Sequence, residues 1–357
     1  MNFIKSFTTI TVPTILLLIV FLELVFSFVL PASDIPLTNF YEKVGAHSGP
    51  NQEGIYRKGS EIAAKYSINE QGWNSIHKTY AIEKNNPRII VIGDSYVDAL
   101  QVDVDKSFVS IMQQEFNHFF PVEVFGMGYY SSPLSQYLSV MRDAIRYSPD
   151  LIVVSIIHND FDESLVKNKD QPYFLQFDKI NNEFIPRKPQ NTLSKVKRIL
   201  SKSATVRFIY LNLQVNRLFQ KSNDNVNDNV EANVDTRILD EDYVNNELRP
   251  MAHHIFQKMQ SLALANDIKL LFIMDASRER IYKNNPDLNS LNKMVYSLTE
   301  DMGIDFIDLT ALFKDDFSKN KKKFEFDIDH HWNSYAHKLL GKYLSEKIIS
   351  GNYLNSK

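Results

Sequence analysis

The sequence of 357 residues predicts an α/β protein: a three-layer α/β/α domain with a mostly parallel sheet, preceded by one N-terminal transmembrane helix. Two observations carry this prediction. From residue 88 onward, short apolar runs alternate with longer segments of helical period, which is typical of βαβ units. Near the N-terminus, the apolar stretch 10–30 is long enough to cross a bilayer core as a helix.

The apolar stretch predicts where the rest of the chain resides. No charged residue lies between Lys5 and Glu23. A cleaved signal peptide is the alternative, but its apolar region should be shorter, and no small-x-small cleavage site follows here. Lys5 on the short side favours a cytoplasmic N-terminus. We therefore expect residues 1–32 to be an uncleaved anchor, with the remainder of the chain in the periplasm or at the cell surface.

Glu23 falls within the predicted anchor, where a charged side chain costs roughly 2–3 kcal/mol near the bilayer centre. Two interpretations stay open. In one, Glu23 lies towards the outer interface or is protonated. In the other, it contacts a membrane partner.

The remainder divides into a membrane-proximal stem over 33–86, which has turn signals but no strong period, and a domain over 87–352. In the domain the apolar runs predict strands at 89–92, 122–125, 151–157, 269–274 and 305–309. Helical periods predict helices at 107–119, 134–147, 246–265, 288–302 and 334–349. Ligands of such sheets bind at the carboxyl ends of the strands.

An insertion at about 161–240 interrupts this alternation and is too long for an ordinary connection, so it can serve as a lid. Within it, 195–221 is predicted to be a basic amphipathic helix, either solvated over the core or lying on an anionic leaflet. The Asn-rich tract 222–235 is predicted to be a flexible loop.

Charge and composition exclude several functions. The net charge of −3 gives no electrostatic footprint for nucleic acid. Cysteine is absent, which excludes disulfides and thiol catalysis. Asp327, Asp329, His330 and His331 could form a metal cluster, but no histidine pair at i, i+4 supports one. We expect neither a metal nor a cofactor.

Ser95 is the candidate nucleophile, because Gly93-Asp94-Ser95 directly follows a predicted buried strand. A serine hydroxyl becomes nucleophilic when a base takes its proton and donors receive the developing oxyanion. The alternative is structural: Ser95 and Asp98 match a capping box at a helix start.

His331 and Asp329 are the candidate base and its orienting acid. The histidine could accept the proton of Ser95, and the aspartate could fix the tautomer of the ring. The alternative is an Asx turn before the final helix, although Asn333 or Ser334 already serves as its cap.

Gly128 and Asn159 follow the next two predicted strands and are candidate oxyanion donors. Glycine lets the backbone approach a ligand and present its N–H, and an asparagine amide donates without a charge. The alternatives are a tight strand–helix turn at Gly128 and a polar strand end at Asn159.

In this order, Gly93-Asp94-Ser95, Gly128, Asn159 and Asp329-x-His331 resemble the blocks of the SGNH/GDSL hydrolase family, over about 88–160 and 241–350. The resemblance implies a flavodoxin-like sheet. It also implies Ser95 as nucleophile, His331 as base and Asp329 as acid, with the oxyanion hole formed by the N–H groups of Ser95 and Gly128 and the side chain of Asn159.

The chain departs from the family pattern at two positions. Ile157 stands where the asparagine block usually has glycine. Ile328 stands where the histidine block often has its aspartate, three residues before the histidine. Asp327 is therefore an alternative acid.

Membrane-anchored bacterial members of the family imply a membrane-anchored serine esterase acting on an O-acyl group, specifically O-acetyl on a cell-surface carbohydrate. Two alternatives stay open: an O-acyltransferase that uses the same acyl-enzyme, and a non-catalytic carbohydrate-binding or assembly component. The expected partners are an acylated small molecule or polysaccharide and the membrane.

Overall fold

The computed structural model describes residues 7–213, 240–283 and 290–354. Its strands are, in chain order, β1 (Thr38–Tyr41), β2 (Gly45–Ser48), β3 (Gln52–Lys58), β4 (Ile62–Ile68), β5 (Arg88–Gly93), β6 (Glu123–Gly128), β7 (Leu151–Ile156), β8 (Gln176–Ile180), β9 (Glu183–Arg187), β10 (Lys269–Met274) and β11 (Asp305–Asp308). Its α-helices are α1 (Val12–Leu24), α2 (Ser95–Asp98), α3 (Phe108–Phe116), α4 (Leu134–Ala144), α5 (Asn159–Glu163), α6 (Lys195–Leu200), α7 (Ala204–Arg207), α8 (Glu241–Tyr243), α9 (Arg249–Ala265), α10 (Arg278–Lys283), α11 (Ser290–Met302), α12 (Thr310–Asn320) and α13 (Ser334–Ser350).

A parallel sheet of five strands forms the centre, in the spatial order β11-β10-β7-β5-β6. Counted along the chain, this is the order 2-1-3-4-5 read from the β6 edge, which is the flavodoxin-like arrangement. The predicted fold class is therefore confirmed. The strand order reverses beside β5, so the carboxyl ends of β5, β6 and β7 surround the crevice where such folds bind ligands.

Helices cover both faces of the sheet, because its central strands are apolar on both sides. Residues of β5 alternate between two apolar clusters: Ile90 and Ile92 pack with α4, α9 and α11, whereas Ile89 and Val91 pack with α3, α12 and α13. Every residue of β7 is buried, as expected for a continuous apolar run between two helical layers.

The five predicted strands of the sheet are present, with end shifts of up to three residues. The second extends to Gly128, so this glycine is the last residue of β6 rather than part of the following turn. The predicted helix 107–119 ends at Phe116, and the first residues of 288–302 lie outside the described residues. Two helices that the sequence did not predict, α10 and α12, follow β10 and β11.

Residues 33–86 contain two antiparallel hairpins, β1–β2 and β3–β4. Trp73 and Tyr80 are buried in the same apolar cluster as α4. The hydroxyl of Tyr80 donates to the carbonyl of Gly126 at 2.8 Å and accepts from its N–H at 3.1 Å. The segment between the N-terminal helix and the sheet is therefore folded against the domain.

The N-terminal apolar stretch is helical over Phe7–Val29, with a mean hydropathy of 2.6 and none of its apolar window buried. The helix is α-helical over α1 and π-helical over Phe7–Thr11 and Val25–Val29. By length and composition it can cross a membrane or serve as a signal sequence.

The insertion differs from its prediction. The expected single helix over 195–221 is wrong, because α6 ends at Leu200 and a second helix, α7, begins at Ala204. The side chain of Ser203 accepts a hydrogen bond from the N–H of Val206 and so caps the second helix. The part of the prediction beyond residue 213 and the tract 222–235 lie outside the described residues.

Candidate active site

Ser95 lies at the carboxyl end of β5, where the strand turns directly into α2. The side chain of Asp94 caps this helix, because it accepts a hydrogen bond from the N–H of Tyr96 at 2.9 Å. The interpretation of Ser95 as the cap is therefore wrong. Gly93 makes the sharp turn feasible, since a Cβ at this position would lie 2.4 Å from Cγ2 of Val97.

The Ser95 hydroxyl belongs to a continuous hydrogen-bonded series. Its Oγ lies 2.8 Å from Nε2 of His331, and Nδ1 of His331 lies 2.5 Å from Oδ1 of Asp329. An ionised carboxylate only accepts hydrogen bonds, so Asp329 fixes the proton on Nδ1 and leaves Nε2 to accept from the serine. The structure thus brings the predicted serine, histidine and aspartate together in the expected order.

Asp329 has a second partner, Lys58, which the sequence did not indicate. Nζ of Lys58 donates to Oδ2 of Asp329 at 2.7 Å, and the carboxylate is only 3% exposed. Burial by itself raises the pKa of Asp329. The hydrogen bond and charge of His331, together with the hydrogen bond from Lys58, outweigh burial and hold this pKa well below its ordinary value.

The turn between β3 and β4 also holds the loop that carries the acid. The Glu61 carboxylate accepts hydrogen bonds from the N–H groups of Asp327 at 3.0 Å and Ile328 at 3.2 Å. The Asp327 side chain is exposed and pairs with Lys323 at 3.0 Å. Asp329, and not Asp327, is therefore the carboxylate that contacts His331.

The two residues next to His331 are hydrogen-bonded to residues that follow strands of the sheet. Trp332 is buried, and its Nε1–H donates to Oδ1 of Asp275 at 3.1 Å. The hydroxyl of Tyr96 donates to the carbonyl of His330 at 2.9 Å. These two hydrogen bonds hold the loop on both sides of the histidine.

Asn333 caps the final helix, since its side chain accepts from the N–H groups of Tyr335 and Ala336 at 3.0 and 3.1 Å. Asp329 therefore has no capping role at this helix. Its Oδ1 instead accepts the N–H of His331 at 2.9 Å, an Asx turn that aligns acid and base.

Gly128 is opposite Gly93 in the register of β5 and β6. A Cβ at Gly128 would lie 2.5 Å from the N of Asp98 and 2.5 Å from Cβ of Val97. The close approach of α2 to this strand end therefore requires glycine. The close contact explains the need for glycine in the tight strand–helix turn. The other interpretation, an N–H donor to the oxyanion, also depends only on the backbone of Gly128.

Asn159 begins α5, just beyond the carboxyl end of β7, and is half-buried. Its Nδ2 lies 3.3 Å from Oε1 of Glu163. Ile157, which replaces the usual glycine, donates its N–H to Asp160 at 2.7 Å. Asn159 therefore follows β7, the strand next to β5, at the predicted strand end.

Three further carboxylates lie under the site. Asp94, Asp98 and Asp160 are at most 3% exposed. Burial, the largest influence on each, raises the pKa of Asp94 to about 6 and that of Asp98 to about 8, and raises that of Asp160 well above its ordinary value. No lysine or arginine pairs with them in the part of the chain that the structure describes.

A cleft of about 310 Å³ opens beside the series. The residues that line it include Tyr96, Asn159, Arg278, Tyr282, Glu325 and His330, but not Ser95 or His331. Arg278 is held in place by bonds to Asp275 at 3.0 Å and to the hydroxyl of Tyr96 at 2.9 Å. The sequence did not single out this arginine.

No family model matches the chain, and no curated protein matches it by sequence. Among solved structures it is similar to the lipase/acylhydrolase from Enterococcus faecalis, with 13% identity, a TM-score of 0.41 and coverage of 76% of this chain and 98% of that one. The psychrotrophic esterase EstA from Pseudoalteromonas sp. is 8% identical, with a TM-score of 0.41 and coverage of 75% and 99%. A member of the lipolytic protein G-D-S-L family from Veillonella parvula is 10% identical, with a TM-score of 0.39 and coverage of 74% and 98%. Residue roles in this chain therefore rest on its own geometry.

Proposed function

We propose that this chain is a membrane-anchored serine hydrolase of the SGNH/GDSL family that cleaves an O-acyl ester, specifically O-acetyl on a cell-surface carbohydrate. One observation carries the proposal: the hydrogen-bonded series Ser95–His331–Asp329 at the carboxyl edge of the sheet. Its order is that of nucleophile, base and acid in serine hydrolases.

In the first half of the proposed reaction, Oγ of Ser95 attacks the acyl carbon while Nε2 of His331 accepts its proton. The carboxylate of Asp329 stabilises the imidazolium that results. Negative charge on the carbonyl oxygen is stabilised by the N–H groups of Ser95 and Gly128 and by the amide of Asn159. His331 then gives the proton to the departing alkoxide, which leaves as the alcohol.

The second half hydrolyses the acyl-enzyme. His331 takes a proton from water, the hydroxide attacks the acyl carbon, and the bond to Oγ of Ser95 breaks. The proton returns to Ser95, and the carboxylic acid is released. Lys58 acts only through Asp329, so we assign it a positioning role.

The cleft supports an alcohol that carries hydroxyl groups, because it presents Arg278, Tyr282 and Glu325, whose side chains can hydrogen-bond to them. Its volume of about 310 Å³ is at the lower end of ordinary ligand pockets, which suits a small substrate group. The acetyl group itself is proposed from the family resemblance of the sequence.

The helix over Phe7–Val29 supports attachment to a membrane, and its contacts support retention of the anchor. Glu23 accepts hydrogen bonds from the N–H groups of Ala204 at 2.6 Å and Thr205 at 3.1 Å. A removed signal segment would take these contacts with it. We place the N-terminus in the cytoplasm and the domain outside it.

The test uses the full chain in detergent, with p-nitrophenyl acetate and p-nitrophenyl octanoate as substrates. We expect faster hydrolysis of the acetate, loss of activity in Ser95→Ala, and ordinary activity in the nearby exposed control Ser334→Ala. Activity that survives in Ser95→Ala would refute the serine mechanism, and preference for octanoate would refute the acetyl specificity.

A second assay separates the alternatives. An O-acetylated polysaccharide is incubated with the protein, and free acetate and acceptor-bound acetyl are measured by NMR. Release of acetate is the expected result. Transfer to a sugar hydroxyl would instead identify an O-acyltransferase. If neither acetate release nor acetyl transfer is detected, a non-catalytic component is favoured.

A further inference from the structure

Residues 193–213, which the catalytic proposal does not use, form an exposed surface that is both apolar and basic. Val196, Ile199 and Leu200 are spaced i, i+3, i+4 in α6 and are 65%, 68% and 49% exposed. The neighbouring basic residues are Lys195, Lys197, Arg198 and Lys202. An apolar face bordered by cations is typical of helices that lie in a membrane interface.

This surface is fixed to the apolar N-terminal helix. The Glu23 carboxylate accepts from the hydroxyl of Ser203 at 2.8 Å as well as from the N–H groups that follow it. The rings of Phe26 and Phe208 are stacked with centroids 4.0 Å apart. Arg207 donates from Nε to the carbonyl of Ser33 at 3.0 Å. Residues 203–208 therefore lie alongside the final turns of the helix.

The length of the uncharged stretch places these contacts relative to a bilayer. Between Lys5 and Glu23 the sequence has 17 residues, and a helix of that length is about 26 Å long. This is close to the roughly 30 Å of a hydrocarbon core. With Lys5 at the inner boundary, Glu23 then lies where hydrocarbon meets headgroups on the outer side, and the mostly apolar residues 24–30 lie in the headgroup region beyond it. The helix α6, which ends three residues before Ser203, lies near the same level.

We propose that residues 193–213 dock on an anionic phospholipid surface, with α6 in the interface plane. Val196, Ile199 and Leu200 enter the boundary of the acyl chains, and the basic side chains contact phosphate headgroups. The docked surface gives the domain a second contact with the membrane and so limits how the catalytic cleft is oriented. This proposal rests on the membrane anchoring in the proposed function, but not on the chemistry of Ser95.

The test uses single cysteines, because the chain has none of its own. Ile199→Cys carries an NBD fluorophore in the full chain, reconstituted into vesicles of phosphatidylcholine with phosphatidylglycerol. Ile82→Cys is the matched control, since Ile82 is 65% exposed and lies beside Arg88 at the amino end of β5. Leu17→Cys reports insertion of the anchor.

We expect NBD at residues 199 and 17 to emit at shorter wavelength and to be quenched by nitroxide-labelled lipid, whereas NBD at residue 82 stays water-like. The combined substitutions Lys195→Glu, Lys197→Glu, Arg198→Glu and Lys202→Glu should reduce the quenching at residue 199 and leave that at residue 17 unchanged.

Three results would overturn the proposal. Water-like emission at residue 199 with quenching at residue 17 would refute docking and leave the anchor intact. A blue shift at residue 199 without lipid quenching would identify a protein contact instead. Absence of quenching at residue 17 would refute the anchor, and docking with it.

Discussion

Buried aspartates lie on two sides of Ser95, and their pKa values are shifted in opposite directions. On the histidine side, Asp329 contacts the ammonium of Lys58 at 2.7 Å and the ring of His331 at 2.5 Å, and its pKa lies well below its ordinary value. Under the serine, Asp94 and Asp98 have similar burial, but their pKa values are raised to about 6 and about 8.

The difference teaches that burial alone does not determine the charge of a carboxyl group in this site. Burial opposes the ionisation of all three aspartates. Only at Asp329 is this overcome, because Lys58 and His331 contact its carboxylate. Asp329 thus supplies a fixed negative charge to His331. The raised pKa of Asp98 keeps this buried carboxyl largely uncharged near neutral pH, so it adds little negative charge under Ser95.

The largest expected effect comes from removing the charge of Asp329. In Asp329→Asn the amide can donate to Nδ1, which favours the wrong tautomer and leaves the imidazolium unpaired. We expect kcat for p-nitrophenyl acetate to fall by roughly 10⁴-fold, the loss produced by the equivalent change in a Ser-His-Asp protease. The exposed Asp327→Asn is the control, and an equal loss there would mean that the acid is misassigned.

The next largest effect tests the close packing under the serine. Gly128→Ala places a Cβ 2.5 Å from the N of Asp98, and such overpacking costs roughly 1–3 kcal/mol. We expect Gly128→Ala to lower the unfolding midpoint in urea and to reduce kcat, and both effects should exceed those of a control substitution. Gly126→Ala is the control in the same strand, because its Cβ would meet only side-chain atoms of Val109, at 3.3 Å. Equal effects at both glycines would contradict a specific role for this contact.

Removing Lys58 should shift the pKa of Asp329 upwards, towards the raised values of Asp94 and Asp98. In Lys58→Met the pKa of Asp329 rises, because one of the hydrogen bonds that lower it is lost. We expect kcat/KM to fall roughly tenfold, about 1.4 kcal/mol, and the acid limb of its pH profile to move to higher pH.

Lys58→Arg keeps the charge and should restore most of the activity and the position of the acid limb. A uniform loss at every pH, with no movement of that limb, would show that Lys58 only supports the loop.

The prediction with the smallest expected effect on catalysis concerns the pH dependence of stability. Because the pKa of Asp98 rises from 3.8 to about 8 on folding, the folded state binds more protons than the unfolded state between these values. The free energy of unfolding therefore falls as pH rises from about 4 to about 8. Asp98→Asn should make this fall smaller in urea titrations, whereas the exposed Asp105→Asn should not. An unchanged pH dependence in Asp98→Asn would mean that Asp98 is ionised in the fold.

Much of the fold was predictable because its signals are local. The apolar run Leu151–Ile156 and the strand–turn–helix at Ser95 are contained in a few consecutive residues. The pairing of Asp329 with His331 was also accessible, since an Asx turn joins two residues on one loop.

The remaining features depend on long-range contacts. Lys58 and Asp329 are 271 positions apart, and the lysine belongs to a hairpin without a strong apolar period. Only the tertiary fold decides whether Asp327 or Asp329 contacts His331, because the Glu61 carboxylate accepts hydrogen bonds from the N–H groups of Asp327 and Ile328 and holds the loop. The break after Leu200 had a local signal, the capping residue Ser203, but its partner Glu23 lies 180 positions away.

The central claim is that His331 activates Ser95 as a nucleophile, and covalent labelling tests it most directly. The full chain is treated with a fluorophosphonate, and the adduct is located by peptide mass spectrometry and followed over time. We predict one adduct, on Ser95, that forms much more slowly in His331→Ala and is absent in Ser95→Ala. An adduct at another residue, or an equal rate of labelling without His331, would contradict the claim.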